Sequence, residues 1–295
     1  MRRNANAASN FAVTVLLLAG AGRRLRHRAG GCFDRKHFPA LAALTGLSLS
    51  VLSSAAEAAD QCPQKNSPID TDRPDVTNSS VVLPQGSFQD ENGINLSRHD
   101  SDRAFDGTNT RLRWGVVPCL EILVDLPNYV ATVSRSPTSG FTDVIPAVKW
   151  QIGPLPGQFD LSATVGVGLP TGTKVVAGPG LQPYVQFPWS WRLTDGWSIS
   201  GMFSNFITPA DTANKLSTET TFVLEREFGE RTFLFVEYVG DYHEHGGPGY
   251  LFNSGGGYRI APTQQIDFHV GIGLNDNAPA YVFGMGYSFR LDGLF

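Results

Sequence analysis

Residues 264–276, QQIDFHVGIGLND, alternate strictly between apolar and polar or small side chains. In a strand, Ile266, Phe268, Val270, Ile272 and Leu274 share one face, and Gln265, Asp267, His269, Gly271 and Gly273 share the other. The apolar face has two possible neighbours. In a soluble sandwich it meets a second sheet. In an outer-membrane barrel it meets lipid, and the polar face lines a lumen.

The same period recurs along the chain. Phe159, Leu161, Ala163, Val165, Val167 and Leu169 alternate with Asp160, Ser162, Thr164, Gly166 and Gly168. Tyr281, Phe283, Met285, Tyr287 and Phe289 alternate with Gly284, Gly286, Ser288 and Arg290. About twelve such segments, each of roughly ten residues, fit between residue 86 and residue 290. Short turns are expected at 118–119, 153–157, 194–196, 228–231 and 261–264, and longer polar links at 99–107, 133–140, 170–180 and 209–215. Alternating short turns and long loops are how outer-membrane barrels are built. The fold class expected is all-β, a transmembrane antiparallel up-and-down barrel. Pro146, Pro183 and Pro188 fall inside expected strands, where they predict bulges or shortened pairing.

Composition agrees. The chain has 295 residues, 17% of them charged and 11% aromatic, with 32 Gly and 19 Pro. Mean hydropathy is −0.12, which excludes a polytopic helical membrane protein but not a barrel, where half of each strand is polar. Trp114, Trp150, Trp189, Trp191 and Trp197 fall near segment ends, as an interfacial girdle requires; ordinary core aromatics are the alternative. The terminal Phe295 fits the signal read by the barrel-assembly machinery.

Residues 1–58 read as a leader. A basic run is followed by an apolar stretch and by Ala56-Glu57-Ala58, a small-x-small site, so cleavage is expected near Ala58. A transmembrane anchor is the other reading, diluted by Thr45, Ser48, Ser50, Ser53 and Ser54. The leader holds 8 basic and 2 acidic residues, leaving 15 and 25 and a formal net charge of −10. Such a chain is a poor partner for nucleic acid. Residues 59–85 form an N-terminal segment on the periplasmic side. Its IDTDRPD stretch either folds into the barrel mouth, pairing with Arg111 or Arg113, or remains a solvated leader. Residues 86–295 form the barrel.

If the apolar faces meet lipid, the alternate positions line the lumen. They include Glu91, Arg111, Arg113, Glu121, Asp125, Asp143, Lys149, Asp160, Arg192, Glu219, Glu225, Glu237, Asp241, Arg259, Asp267, His269 and Arg290. Charges excluded so regularly from one face are hard to place in a sandwich core. Both signs occur, so pairing across strands is expected, in a lumen either filled or open. Cys62 and Cys119 remain in an exported chain. With Cys119 in the short turn after the second strand and Cys62 before the first, both lie on the periplasmic side, where a flexible leader lets them bridge; two unpaired thiols are the alternative. No catalytic motif, cofactor motif or zinc spacing occurs, and His243 and His245 read as a solvated loop pair, not a metal site.

Several stretches, in order, resemble one known family: TDRPD (71–75), LPQGSFQDENG (83–93), RLRWGVVPCLEILVDLPNY (111–129), TDVIPAVKWQI (142–152), VGVGLPTG (165–172) and 249–276. The chain is similar to outer-membrane proteins grouped as the MetA-pathway phenol-degradation family. The resemblance implies an outer-membrane transporter for phenolic or other small hydrophobic molecules, with no enzyme activity and no cofactor. A closed structural barrel and an interfacial hydrolase are the competing functions. The partners expected are outer-membrane lipid, small solutes and the assembly machinery.

Overall fold

The computed structural model describes residues 62–63, 67–153, 155–208 and 215–294. The leader and its cleavage site, most of the link at 209–215 and Phe295 lie outside these residues. The strands are β1 (Phe88–His99), β2 (Asp102–Val117), β3 (Leu120–Asp125), β4 (Tyr129–Val133), β5 (Thr138–Phe141), β6 (Ile145–Gln151), β7 (Phe159–Gly168), β8 (Gln182–Thr194), β9 (Trp197–Ile207), β10 (Leu216–Phe228), β11 (Thr232–His243), β12 (Gly249–Ala261), β13 (Gln264–Gly273) and β14 (Tyr281–Leu291). β3 and β4 are halves of one crossing and both pair with β2, while β5 and β6 are halves of the next. Among the described residues this makes twelve antiparallel crossings. β1 pairs with β2 on one side and β14 on the other, so the sheet closes without a free edge.

Burial is inverted relative to a soluble protein. Along β13, Ile266, Phe268, Val270 and Ile272 are exposed by 45%, 50%, 42% and 55%, while Gln265, Asp267 and His269 retain 1%, 5% and 8%. Continuous apolar exteriors of this extent are not found on soluble monomers; they suit hydrocarbon, where every strand hydrogen bond must be made internally. Among the described residues, buried apolar side chains form small clusters, such as Val223 with Phe233 and Phe235. No helix among the described residues is long and apolar enough to cross a membrane.

The tryptophans gather toward the end of the barrel where β1 begins and β14 ends, called here the near end. Trp114 packs on Phe88 (5.3 Å), Trp189 stacks on Phe159 (6.0 Å), and Arg226 lies over Trp197 (5.1 Å). Tyr238, Tyr242 and Tyr250 cluster toward the far end.

Two expectations change. Residues 99–107 are not a loop. β1 and β2 run on to the two-residue turn Asp100-Ser101, with Leu96 opposite Phe105 and Arg98 opposite Arg103. Polar residues there belong to paired strand ends, and Asp100 takes the positive φ (53°) the turn needs. The link at 133–140 likewise contracts to 134–137. The prolines act through missing ladder rungs without a register shift. Opposite Pro188, the β7–β8 pairing skips from Leu161–Trp189 to Thr164–Gln186. Pro146 pairs toward β3 but not toward β7.

Candidate functional site: a plugged lumen

Residues 67–85, preceding β1, fold back through the barrel and meet almost every wall. Arg290 of β14 donates to the carbonyls of Ser67 (2.6 Å) and Pro68 (3.2 Å), and Ile69 N–H donates to Pro262 (2.7 Å). Farther in, Asn78 donates to Gln186 of β8 (3.0 Å), and the Ser80 hydroxyl meets Ser190 (2.8 Å). Returning, Val82 N–H donates to Gln151 (3.1 Å) and Leu83 N–H to Glu121 (2.8 Å). The segment is a plug whose polar backbone finds its partners on the inward faces of the strands, as buried backbone must.

Its anchor on β1–β6 is ionic. Asp72 lies 3.0 Å from Arg111, 3.7 Å from Arg113 and 3.3 Å from Lys149. Arg113, fully buried, also bonds Glu91 (2.9 Å) and Glu121 (2.9 Å), and Arg111 grips Asp125 through two nitrogens (2.6 and 2.9 Å). Such burial is tolerated because each charge has partners. Burial pulls the Asp72 carboxyl upward, but Arg113, Lys149 and Arg111 outweigh it and hold it below the usual carboxylate range.

A second anchor is steric. Arg73 reaches Asp267 (3.3 Å) across the paired glycines Gly93 and Gly286. A Cβ at Gly93 would stand 2.3 Å from the guanidinium, and one at Gly286 2.5 Å from it. The glycines leave a slot in the wall for this side chain. On the opposite side, Glu237 accepts from Val76 N–H (3.0 Å), Thr77 N–H (2.9 Å), the Thr77 hydroxyl (2.8 Å) and Asn253 (2.8 Å). A third anchor is covalent, a disulfide between Cys62 and Cys119 with Cα atoms 5.4 Å apart.

Two chambers flank the plug among the described residues. The far one, about 180 Å³, mixes apolar Val76, Leu126, Ile145, Met202 and Phe206 with Glu219, His269 and the Arg111–Asp125 pair. The near one, about 410 Å³, is more polar and includes Asp160, Arg192, Glu225 and Arg259. Arg73, Asp75 and Asn78 line both and form the partition between them.

The charges singled out in the sequence thus fall into groups. Glu91, Arg111, Arg113, Glu121, Asp125 and Lys149 make one network with Asp72. Glu237, Asp267 and Arg290 hold the plug, and Arg259 pairs with Glu227 (3.2 Å). His269 sits between Asn253 and Asn95 (3.2 Å each), Asp160 accepts from Gln151 (3.3 Å), and Arg192 is exposed at the near chamber. Asp143 lines the far chamber. It holds the 169–181 loop by accepting from Gly172 (2.9 Å), Gly178 (2.8 Å) and Gln182 (3.3 Å). His243 pairs with Asp241 (2.9 Å), and no group of three His, Cys, Asp or Glu among the described residues is placed to hold a metal. Sequence reasoning missed the neutral contacts, Gln89, Gln151, Gln186 and Asn253, and the glycine slot; the slot becomes visible only once cross-strand register places Gly93 opposite Gly286.

A closed antiparallel barrel with an apolar exterior, a charged interior and no free edge is a transmembrane barrel of the outer-membrane type. The chain belongs to the family described as "Putative MetA-pathway of phenol degradation", whose model matches residues 71–291. The COG4313 outer membrane channel from Pseudomonas putida F1 shares the fold, with a TM-score of 0.56 and 13% identity over 71% of this chain and 97% of that one. The NanC porin gives 0.49 at 8% identity over 69% of this chain and 100% of that one, and the CymD monoaromatic hydrocarbon channel 0.43 at 8% over 72% and 90%. These solved neighbours are channels and porins, not enzymes. No curated protein sequence matches the chain.

Proposed function

We propose that this protein is an outer-membrane channel that passes small aromatic or hydrophobic molecules from the far chamber, past the plug, to the near chamber. The observation that carries this reading is the pair of chambers inside one closed barrel, with Arg73, Asp75 and Asn78 of the plug lining both. The apolar share of the far chamber suits a compact apolar body, and its few polar groups suit orientation of that body. The family description, which refers to phenol degradation, agrees with such a cargo. On this reading both termini and the turns at 118–119 and 195–196 face the periplasm, and the loop at 169–181 faces outward. A peptide tag in that loop is then reachable on intact cells, and one at 153–157 is not. The lumen-lining charges position the plug and tune the path; none is a catalyst.

The plug's ionic and covalent anchors favour a second reading, a closed structural barrel. Swelling of liposomes containing the protein, across neutral aromatic and sugar solutes, separates the two. Swelling rates equal to those of empty liposomes for every solute would leave only the closed barrel.

A further inference from the structure

The lumen is electrically lopsided. On the β1–β6 side, the inward-facing cations Arg111, Arg113 and Lys149 are each bonded to a carboxylate. Arg73, at the partition, is bonded to Asp267, and Arg259 to Glu227. The β10–β11 wall is the reverse. Glu219 lies opposite Asp241 in the ladder, and Val223 opposite Glu237. Asp241 is taken by His243, and Glu237 by the plug backbone and Asn253. Glu219 is left over. It is only 7% exposed, lines the far chamber, and has no hydrogen-bond or ion-pair partner among the described residues. Its charged neighbours are the carboxylates Asp241 and Glu237. A carboxylate this buried without a partner is costly to the fold and needs a reason.

Two more open carboxylates continue the line. Asp75, in the partition, has Glu237 and Glu225 as charged neighbours and no side-chain partner among the described residues. Glu225 lines the near chamber and makes no hydrogen bond or ion pair among them. Glu219 and Glu225 are six residues apart on one strand, roughly 20 Å at a strand's rise, with Asp75 between. Steps of roughly 10 Å are comparable with the screening length in physiological salt, so the field of each carboxylate reaches the next. Among the described residues, the one cation lining this path outside an ion pair is Arg192, at the mouth of the near chamber.

We infer that Glu219, Asp75 and Glu225 form a carboxylate staircase that selects positively charged small solutes and hands them from the far chamber, through the partition, to the near chamber. The inference rests on the channel reading above and specifies its charge preference. The apolar neighbours of Glu219, Met202 and Phe206, suit an organic cation, an ammonium carried on an apolar body. An anion meets open carboxylates at each step and finds Arg73, Arg111, Arg113, Lys149 and Arg259 already paired, with only Arg192 at the near mouth outside an ion pair among the described residues.

The test is the reversal potential of the purified full-length protein in a planar bilayer under a KCl gradient, with swelling assays comparing benzylammonium chloride and sodium benzoate. The wild type should prefer K⁺ over Cl⁻ and benzylammonium over benzoate. Glu219→Gln, which touches no plug contact, should lower the K⁺/Cl⁻ permeability ratio, and the triple variant Glu219→Gln/Asp75→Asn/Glu225→Gln should lower it about threefold or more. Asp195→Asn, in an exposed near-end turn, should leave it unchanged. Heat-modifiable migration on gels verifies that each variant is a folded barrel. Conductance without cation preference, or a ratio unmoved by the triple variant, overturns the staircase while leaving the channel reading standing. No conductance and no swelling overturn both.

Discussion

Glu237→Ala should loosen the plug at its middle. The Glu237 carboxylate, 1% exposed, receives the backbone N–H groups of Val76 and Thr77, the Thr77 hydroxyl and the Asn253 amide within 3.1 Å. Hydrogen bonds to a charged group contribute about 1.5–3 kcal/mol each, and a buried donor left without an acceptor costs about 1–3 kcal/mol. Removing the carboxylate strands two backbone donors, so the upper limit is about 6 kcal/mol. Water from the two adjoining chambers recovers part of this, leaving about 2–3 kcal/mol. That changes the ratio of seated to released plug roughly 30- to 150-fold. The disulfide and Asp72 keep the segment in the barrel, so the release is local to residues 74–78. Single-channel recording should show a larger or noisier conductance for Glu237→Ala, and a smaller change for Glu237→Gln, whose amide oxygen still accepts. Identical traces for wild type, Gln and Ala would refute the assignment of Glu237 as a plug anchor.

Three further outcomes are expected. Peptide mapping without reduction should recover Cys62 linked to Cys119, closing a sequence separation of 57 residues for which chain entropy gives about 3–4.7 kcal/mol. Cys119→Ser should nevertheless retain a heat-modifiable barrel and lose only protection of the N-terminal segment from protease; a lost barrel contradicts this. Arg at Val165, which is 61% exposed, should cost about 2–4 kcal/mol near the bilayer midplane, more than Arg at inward-facing Thr164, as read from denaturant unfolding in lipid; equal costs contradict the assignment of faces. Burial, then Glu237 and Glu225, push the Asp75 carboxyl well above the usual range. A raised acid favours the seated plug below its unfolded value and loses that contribution as pH rises through the folded one, whereas depressed Asp72 keeps its contribution until strong acid. Conductance, and with it any contribution of an ionised Asp75 to cation preference, should therefore rise as pH climbs above the ordinary carboxylate range, and Asp75→Asn should flatten that rise.

The barrel was legible in the sequence because lipid imposes the simplest rule available. Any residue on one face must be apolar, so Ile266, Phe268, Val270 and Ile272 announce their surroundings without knowledge of their neighbours. The strand ends were less legible. Residues 99–107 look like a loop because their side chains are mostly polar, yet pairing continues beyond the apolar band wherever a tight turn closes the hairpin. The break between β3 and β4 at Leu126-Pro127-Asn128 was also hidden. A proline marks it, but which ladder loses its rungs depends on the side the missing N–H faces. The cysteine pair could be placed because turn length alone put Cys119 at the same end as the segment bearing Cys62. The plug's contacts were mostly out of reach. That Asp72 meets Arg111 follows from opposite charge, but that Arg73 enters a slot between Gly93 and Gly286 depends on the register of β1 against β14, which no local pattern encodes.

The same contacts imply where the plug moves first. Its two flanks are held by groups that resist exchange with water: Asp72 by three cations, and Leu83 N–H by Glu121 within the same buried network. The middle is held differently. Val76 and Thr77 hang from one carboxylate, and Asn78 bonds the Gln186 amide and the Arg111 guanidinium at 3.0 Å each, through single hydrogen bonds beside open chambers. Displacing a flank separates buried charges from their partners, which costs about 3–5 kcal/mol per broken pair. Displacing the middle exchanges hydrogen bonds for water already at hand. Motion that joins the chambers therefore begins at residues 74–78, the stretch that carries Asp75 and Asn78 of the partition. The flanks and the disulfide hold the plug in place, so a small local shift opens the path and the plug need not leave the barrel.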